Sequence, residues 1–292
     1  MIRFDTDAAR VGLRGRLGEN AFATDVVLTR RDARRVELNG EPLSSSDRLR
    51  HELTTLVFTP DRLAVVKGGP ATRRAYLDRV VARLLPARAT IANEYASAVG
   101  QRNAGLRRAR GGLSSRDALA PWTDKVVELG QALVRARVDA IDLLSPAFAE
   151  SADELGLALA TLRYEGEPPT MEDLAARIHL DLERGITGAG PHLHDLRIEA
   201  GDRDLRSFGS QGEQRMAVLA LVLAEADALR ERLDVAPLVL LDDVLSELDG
   251  DRHRALARML ERGSQTVVTA TAAAALPVEP AQALSVAPGH VR

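Results

Sequence analysis

The sequence has no cysteine. Disulfides and thiolate metal sites are therefore excluded, and a reducing cytoplasm fits. Aromatic residues make up only 3% of the chain, so its core must be aliphatic. No run approaches the ~18 apolar residues that span a bilayer, and the opening MIRFDTDAAR lacks the apolar segment of a signal peptide; a cytoplasmic protein without a membrane partner is expected. Histidine is sparse, at 6 residues, and no pair has zinc-site spacing with a third ligand nearby. Lysine is nearly missing: Lys67 and Lys125 are the only two. What remains is ordinary for a globular protein, with 292 residues, 45% hydrophobic and 28% charged, enough for one large or two modest domains with a sizeable core.

The net charge of -3 hides an asymmetry. Between Asp61 and Arg116 lie 12 Arg or Lys against 3 acids, Asp61, Asp78 and Glu94. A basic segment on an otherwise acidic chain is a candidate for polyanion binding. Its rival reading is a solvated helix face on an arginine-rich chain.

The patterning divides the chain into three stretches. Residues 1–58 read as β-rich, with Val11, Leu13 and Leu17 alternating with polar residues, an apolar run Val26–Thr29, a hairpin-type Asn39-Gly40 and a buried strand LTTLVF closing this part. Residues 59–154 turn helical. Apolar positions at Tyr76, Leu77, Val80, Val81 and Leu84 predict a helix over 72–85 ended by Pro86, a second helix to about Arg110, and a long one over 117–144. RGGLSSRD breaks the chain between the last two, with Ser114 or Ser115 as the expected N-cap. Residues 155–292 return to strands and helices. Strands are expected at 157–166, 193–200, 203–208, 238–241 and 266–269, and helices at 171–184, 212–233 and 251–262. Thr170 and Asp173 resemble a capping box, and LSVAPGHVR is expected to form a last short strand and turn. Strand–helix alternation of this kind predicts a layered α/β lobe with a partly parallel sheet. Helix 212–233 is apolar on nearly every face from Met216 to Ala224 and should be buried against a sheet.

The chemistry concentrates in LVLLDDVLSELDG (Leu238–Gly250). Adjacent carboxylates at the end of an apolar strand are costly unless a cation sits there, and nucleotide hydrolases hold magnesium in this way. Alone, the pattern is weak evidence. Upstream, FGSQGEQR (Phe208–Arg215) places Ser210 and two glycines at the start of the buried helix. Backbone N–H groups there, with the positive end of the helix dipole, form an anion site that glycine lets a phosphate approach closely. A plain Ser N-cap is the simpler reading of that motif by itself, but the order of motif, helix, acidic strand end, SELD and further strand favours the functional one.

This order is similar to an ABC-type ATPase head. In detail, FTPDRLAVVKGGPATRRAYLD (Phe58–Asp78), QRN (Gln101–Asn103), GPH (Gly190–His192), SQGEQR and LLDDVLSELD resemble, in order, the motifs of the RecF family of DNA repair and recombination mediators. The resemblance spans about Ile2 to the C-terminal GHV. It implies an α/β fold, an ABC-type ATPase head with an inserted α-helical lid. It implies ATP and Mg²⁺ as cofactors and an ATP-dependent homodimer. The expected partners are single-stranded or gapped DNA and other recombination mediators of the same pathway, in recombinase loading, replication and the SOS response. Asp242 would bind magnesium and Asp243 act on the attacking water. Ser210, Gln211, Gly212 and Glu213 would face nucleotide held by the partner subunit, with Ser246 and Asp249 in the D-loop. Arg73, Arg74, Arg107, Arg108 and Arg110 would contact DNA.

Three departures stand out. Glu213 occupies a position where such signatures usually carry Gln. GPHLHDL has Leu193 and His194 where the family has Arg and Asp. No G-x-x-x-x-G-K-[ST] occurs, although the lysine of that loop reaches the β- and γ-phosphates; Lys67 precedes Gly68, and Lys125 follows Asp124. The chain thus looks like a family member lacking its N-terminal strand, P-loop and helix. That leaves a rival reading: a DNA- or partner-binding fragment without ATPase activity. A head of the Rad50 or SMC type is disfavoured, because the helical insertion lacks sustained heptads.

Overall fold

The computed structural model describes residues 2–17, 19–43, 49, 53–245, 248–271, 279–287 and 290–291. The chain forms two compact units, Met1–Thr55 and Leu56–Arg292.

The first unit is an antiparallel meander of β1 (Ala8–Leu17), β2 (Asn20–Thr29), β3 (Arg35–Leu38) and β4 (Glu41–Pro42). Val11 pairs with Val26 and Val26 with Val36, and likewise Leu13, Thr24 and Leu38 align, so one face is apolar as the alternation predicts. Asn39 and Gly40 both have positive φ, 52° and 83°, the signature of a type I′ turn. The Asn39 side chain ties the turn to β2 by accepting a hydrogen bond from Ala23 N–H at 2.8 Å.

The second unit holds the main core. Its sheet runs β10 (Thr266–Thr269), β9 (Leu238–Asp242), β5 (Thr55–Phe58). The expectation that the 53–58 segment closes the N-terminal β part is corrected: β5 joins the sheet beside β9. β9 and β10 are parallel, with Asp242 opposite Thr269. The helices α1 (Ala64–Lys67), α2 (Pro70–Leu84), α3 (Ile91–Arg110) and α4 (Ala120–Glu154) follow β5. α4 runs ten residues beyond the expected Leu144, through Pro146. Pro146 removes one backbone hydrogen bond, but burying Phe148 and Ala152 keeps the helix going. Neither Ser114 nor Ser115 caps it. A short turn over Asp117–Leu119 leads in without a side-chain cap.

Next come β6 (Ala160–Glu165), α5 (Met171–Ala176) and α6 (Ile178–Arg184). The capping box of Thr170 and Asp173 is present, but the expected single helix breaks at Arg177. β7 (Asp195–Ala200) and β8 (Arg203–Asp204) complete an antiparallel sheet with β6. Residues 205–208, expected as strand, form a helical turn, α7 (Leu205–Phe208). Asp204 caps that turn through Arg206 N–H, and the local cap wins over strand propensity. α8 (Gln211–Leu233), α9 (Gly250–Leu260) and the short β11 (Val286–Ala287) and β12 (His290–Val291) finish the described chain. α8 is buried from Met216 through Ala226, Glu225 included.

A second, polar core is threaded through the helical part by the loop between α6 and β7. Arg102, with no exposed surface, donates to Asp181 at 2.8 Å and to Thr187 at 2.9 Å. Asn103 Oδ1 accepts from the Thr187 N–H and hydroxyl, each at 2.7 Å. Tyr95 and His192 share a hydrogen bond of 2.7 Å. Gly190, at φ 122°, lies so close that a Cβ there would stand 2.4 Å from Tyr95 Oη. Arg137 grips Asp78 with two bonds, 2.8 and 3.0 Å, and donates to Pro191 O. The QRN and GPH motifs are thus the two sides of one buried network.

Removing one partner of a buried pair strands the other charge, at a cost of about 3–5 kcal/mol. Asp181→Ala should therefore lower stability by that order in urea unfolding, with native-like secondary structure retained. His194, which bonds Tyr164 at 2.9 Å, is held neutral. Burial, then the charges of Arg137, His192 and Arg74, push its pKa down from 6.5 to about 4. The unfolded chain binds more protons in that window. This contribution to stability is therefore complete above about pH 6.5 and is lost as pH falls towards 4. The stability of a His194→Gln variant should fall less steeply over that window than wild type; equal slopes would contradict the assignment.

Candidate functional site

β9 carries its apolar run to Asp242, and the chain then turns. Asp243 takes φ 50°, a left-handed conformation that short polar residues tolerate best. Thr269, at the parallel end of β10, fixes the turn. Its hydroxyl donates to Asp242 Oδ1 at 2.6 Å and accepts from Asp243 N–H at 3.1 Å. Both aspartates are exposed. Sequence reasoning did not select Thr269; its signal was its place at the end of the strand following the acidic one. No group of three His, Cys, Asp or Glu able to hold a metal occurs among the described residues. One carboxylate beside bound phosphates is, however, a usual arrangement for Mg²⁺. Asp242 is the residue placed for that role, and among the described residues its one side-chain hydrogen bond is the threonine bond at Oδ1.

The signature segment is organised by its own side chains. Ser210 Oγ accepts from Glu213 N–H, and Glu213 accepts from Ser210 N–H at 2.7 Å, a reciprocal capping box. Glu213 also pairs with Arg203 at 2.8 Å. These contacts hold its carboxyl below the usual range, the Ser210 N–H first and Arg203 next. The residue expected to face nucleotide is therefore engaged in capping. The N–H groups of Gln211 and Gly212 belong to the first helical turn, which lacks intrahelical acceptors. A Cβ on Gly212 would meet nothing nearer than 4.0 Å. That open approach, with the dipole, suits an anionic oxygen.

The two half-sites lie apart within one chain. α8 has 23 residues, about 34 Å at 1.5 Å each. β9 follows its far end after a short connection and has 5 residues, about 16 Å. Val239 lines a cleft with Leu223, Ala226 and Arg230, so the strand returns beside the C-terminal half of the helix. Asp242 consequently stops well short of Ser210. Of the two residues expected in a D-loop, Asp249 caps α9 through Arg252 N–H at 3.0 Å, while Ser246 falls outside the described residues.

The arginines proposed for DNA separate by environment. Arg73 is corrected: it is 3% exposed and bound bidentately to Asp195 at 2.8 and 2.6 Å, leaving no face for a phosphate. Arg74 donates to His194 O at 2.8 Å. Arg107 and Arg110 donate to Gly185 O and Glu183 O at the C-terminal end of α6, and Arg108 is exposed. Leu193 is exposed, and His194 is packed as described.

A three-stranded sheet with an acidic strand end, a capped signature helix and an inserted helical part define an ABC-type ATPase head. No family model matches the chain. It is 32% identical over 300 residues to the DNA replication and repair protein RecF of Desulfitobacterium hafniense (strain DSM 10664 / DCB-2), covering 94% of this chain and 82% of that protein. It is 33% identical over 291 residues to RecF of Myxococcus xanthus (strain DK1622), covering 93% and 75%. The fold matches a structure of the recombination mediator protein RecF with ATP at a TM-score of 0.84 and 24% identity, over 100% of this chain and 81% of that one. The chain belongs to the RecF family.

The Thr269 clamp predicts a local measurement. Thr269→Val removes both hydrogen bonds with little change in volume, and Thr269→Ser keeps them. Losing about 1.4 kcal/mol of local stability speeds amide exchange about tenfold. The Asp243 amide should exchange about tenfold faster in the valine variant and near the wild-type rate in the serine variant.

Proposed function

We propose that this chain acts as a RecF-type recombination and repair mediator, with ATP and Mg²⁺ held between two heads and DNA bound in the cytoplasm. The observation that carries this reading is the separation of its two nucleotide half-sites. The signature half-site would be completed by nucleotide that a second subunit carries. At one, Asp242 would hold the magnesium ion, which neutralises phosphate charge when bound, and Asp243 would orient water. At the other, the Gln211 and Gly212 amides would meet the γ-phosphate of nucleotide carried by the partner. Asp249 would belong to the D-loop. Among the described residues no helix is long and apolar enough to cross a membrane.

One observation favours the rival reading for these 292 residues alone. Lys67 ends the four-residue α1, and Lys125 pairs with Glu128 at 3.0 Å in α4; neither sits in a phosphate cradle. A polypeptide of this sequence should therefore show no ATP turnover by itself, because no P-loop lysine or backbone cradle holds the β- and γ-phosphates. The signature can still serve a partner that owns a P-loop. Mixed with a RecF chain that carries one, it should co-elute on size exclusion with ATP and Mg²⁺ as a hybrid holding one nucleotide. Ser210→Arg should abolish that species by filling the approach to the helix end. Turnover by the lone chain that disappears in Asp243→Asn would refute the first expectation. A soluble chain that never co-elutes would refute the second.

A further inference from the structure

The end of α8 that would meet a phosphate also holds a carboxylate. A helix start is worth roughly +0.5 of an elementary charge, and an anionic oxygen at the Gln211 and Gly212 amides would feel that charge. Glu213 sits in the same turn and accepts from Ser210 N–H at 2.7 Å. Consecutive amide nitrogens lie within about 3.8 Å, so this oxygen is about 6.5 Å or less from the Gln211 nitrogen, inside the screening length of about 8 Å. The capping bond needs no charge, since a glutamine makes the same contact. Glu213 is nevertheless ionised: the Ser210 N–H first, and Arg203 next, hold its carboxyl below the usual range. Alone it would turn the helix end from about +0.5 to about -0.5, which repels a phosphate.

Arg203 removes that repulsion. Its Nη2 donates to the other oxygen of the Glu213 carboxylate at 2.8 Å and returns the helix end to about +0.5. The two side chains stay 55% and 27% exposed, and an exposed pair adds little to stability, so its weight is in the local charge. The backbone brings Arg203 there. β7 and β8 are joined by Gly201 and Asp202, with Ala200 opposite Arg203 and Gly201 at φ 58°, a conformation that glycine takes freely. Leu159 O accepts from the Gly201 N–H at 2.9 Å, and Arg197 of β7 holds Asp204, next to Arg203, at 2.9 Å. Arg206 is exposed as well, but makes no side-chain hydrogen bond or ion pair among the described residues.

We propose that Arg203 is a positioning residue for the nucleotide: by pairing with Glu213 it keeps the signature end of α8 receptive to the γ-phosphate that a partner subunit carries. This role rests on the signature's proposed part in nucleotide binding, and it adds a residue and a dependence. Arg203 matters for the phosphate only while position 213 is acidic. Glu213→Gln keeps the capping contact, removes the charge and makes Arg203 dispensable.

The test compares Arg203→Ala, Glu213→Gln and the double change in two measurements on the 292-residue chain. In the first, the chain is mixed with a RecF chain that carries a P-loop, and size exclusion with Mg²⁺ reads the ATP concentration giving half-maximal hybrid. In the second, the chain alone is titrated with inorganic phosphate while the Gln211 and Gly212 amide resonances are followed. Arg203→Ala should raise both midpoints about tenfold, with a melting temperature within about 2 °C of wild type. Glu213→Gln should keep the wild-type midpoints or lower them, and the double change should return to that level. Arg206→Ala, an equal loss of charge nearby, should give no defect that Glu213→Gln repairs; such a repair would overturn the pairing as the cause. Wild-type midpoints in Arg203→Ala would overturn the role of Arg203. A double variant as impaired as Arg203→Ala would overturn it too, because Arg203 would then act otherwise than through Glu213. A hybrid that never forms, with phosphate midpoints in the expected order, would refute the proposed assembly and support Arg203. Neither hybrid nor phosphate response in any variant would overturn both.

Discussion

The constraint on which the second unit depends is the burial of α8. From Met216 to Leu229 this helix is apolar on nearly every face, and almost every residue in that span is buried. Such a helix has no solvent side and must be covered all round. α4 packs along it, and α1, α2 and the turn after β5 cover further sides. The single interior carboxylate, Glu225, is fully buried and is tolerated because Arg83 of α2 reaches it at 2.5 Å. Enclosure leaves only the two ends of the helix accessible. The first turn, Ser210 to Glu213, emerges on a shaft that cannot pivot, which suits a group that must meet a phosphate at a fixed distance.

The same need for cover explains where the positive charge went. A segment with twelve basic residues reads as an anion-binding surface if all of them reach solvent. In the folded chain Arg73 is bound to Asp195, Arg102 to Asp181, Arg83 to Glu225 and Arg88 to Asp139. Each joins elements far apart in sequence. A guanidinium can satisfy several acceptors in one plane, which an ammonium cannot, and this gives the arginine bias a structural use. What remains for a polyanion is smaller than the sequence count and is displaced towards the end of α3.

Much of the architecture was legible because it depends on local signals. The period of α2 and its stop at Pro86, the Asn39-Gly40 turn and the Thr170 capping box are all decided within a few residues. The acidic strand end and the signature were legible for the same reason. Other features depend on partners distant in sequence. β5 carries the same apolar signal whichever sheet it joins, so its place beside β9 could not be read from LTTLVF. Thr269 is an unremarkable strand residue until the parallel register sets it opposite Asp242. Ser114 and Ser115 are good caps by type, yet packing of Leu119 against Leu106 sets the start of α4 instead. Arg73 and Arg108 are alike in sequence, and only burial separates a structural arginine from a free one.

The two half-sites also differ in electrical character, and the fold keeps them from cancelling. The signature end carries the positive pole of α8, and Arg203 offsets the one carboxylate that intrudes there. The strand end carries Asp242 and Asp243. Retracing α8 by the length of β9 leaves them about 18 Å apart, more than twice the screening length of about 8 Å at physiological salt. Neither can neutralise the other within one chain. In the proposed assembly a polyphosphate with its cation would match both, its γ-oxygen facing the helix end and its metal facing the carboxylate, with the two ends supplied by different subunits. In the proposed assembly the nucleotide is therefore the complement that makes two like heads attract, and its loss would leave two uncompensated ends facing each other.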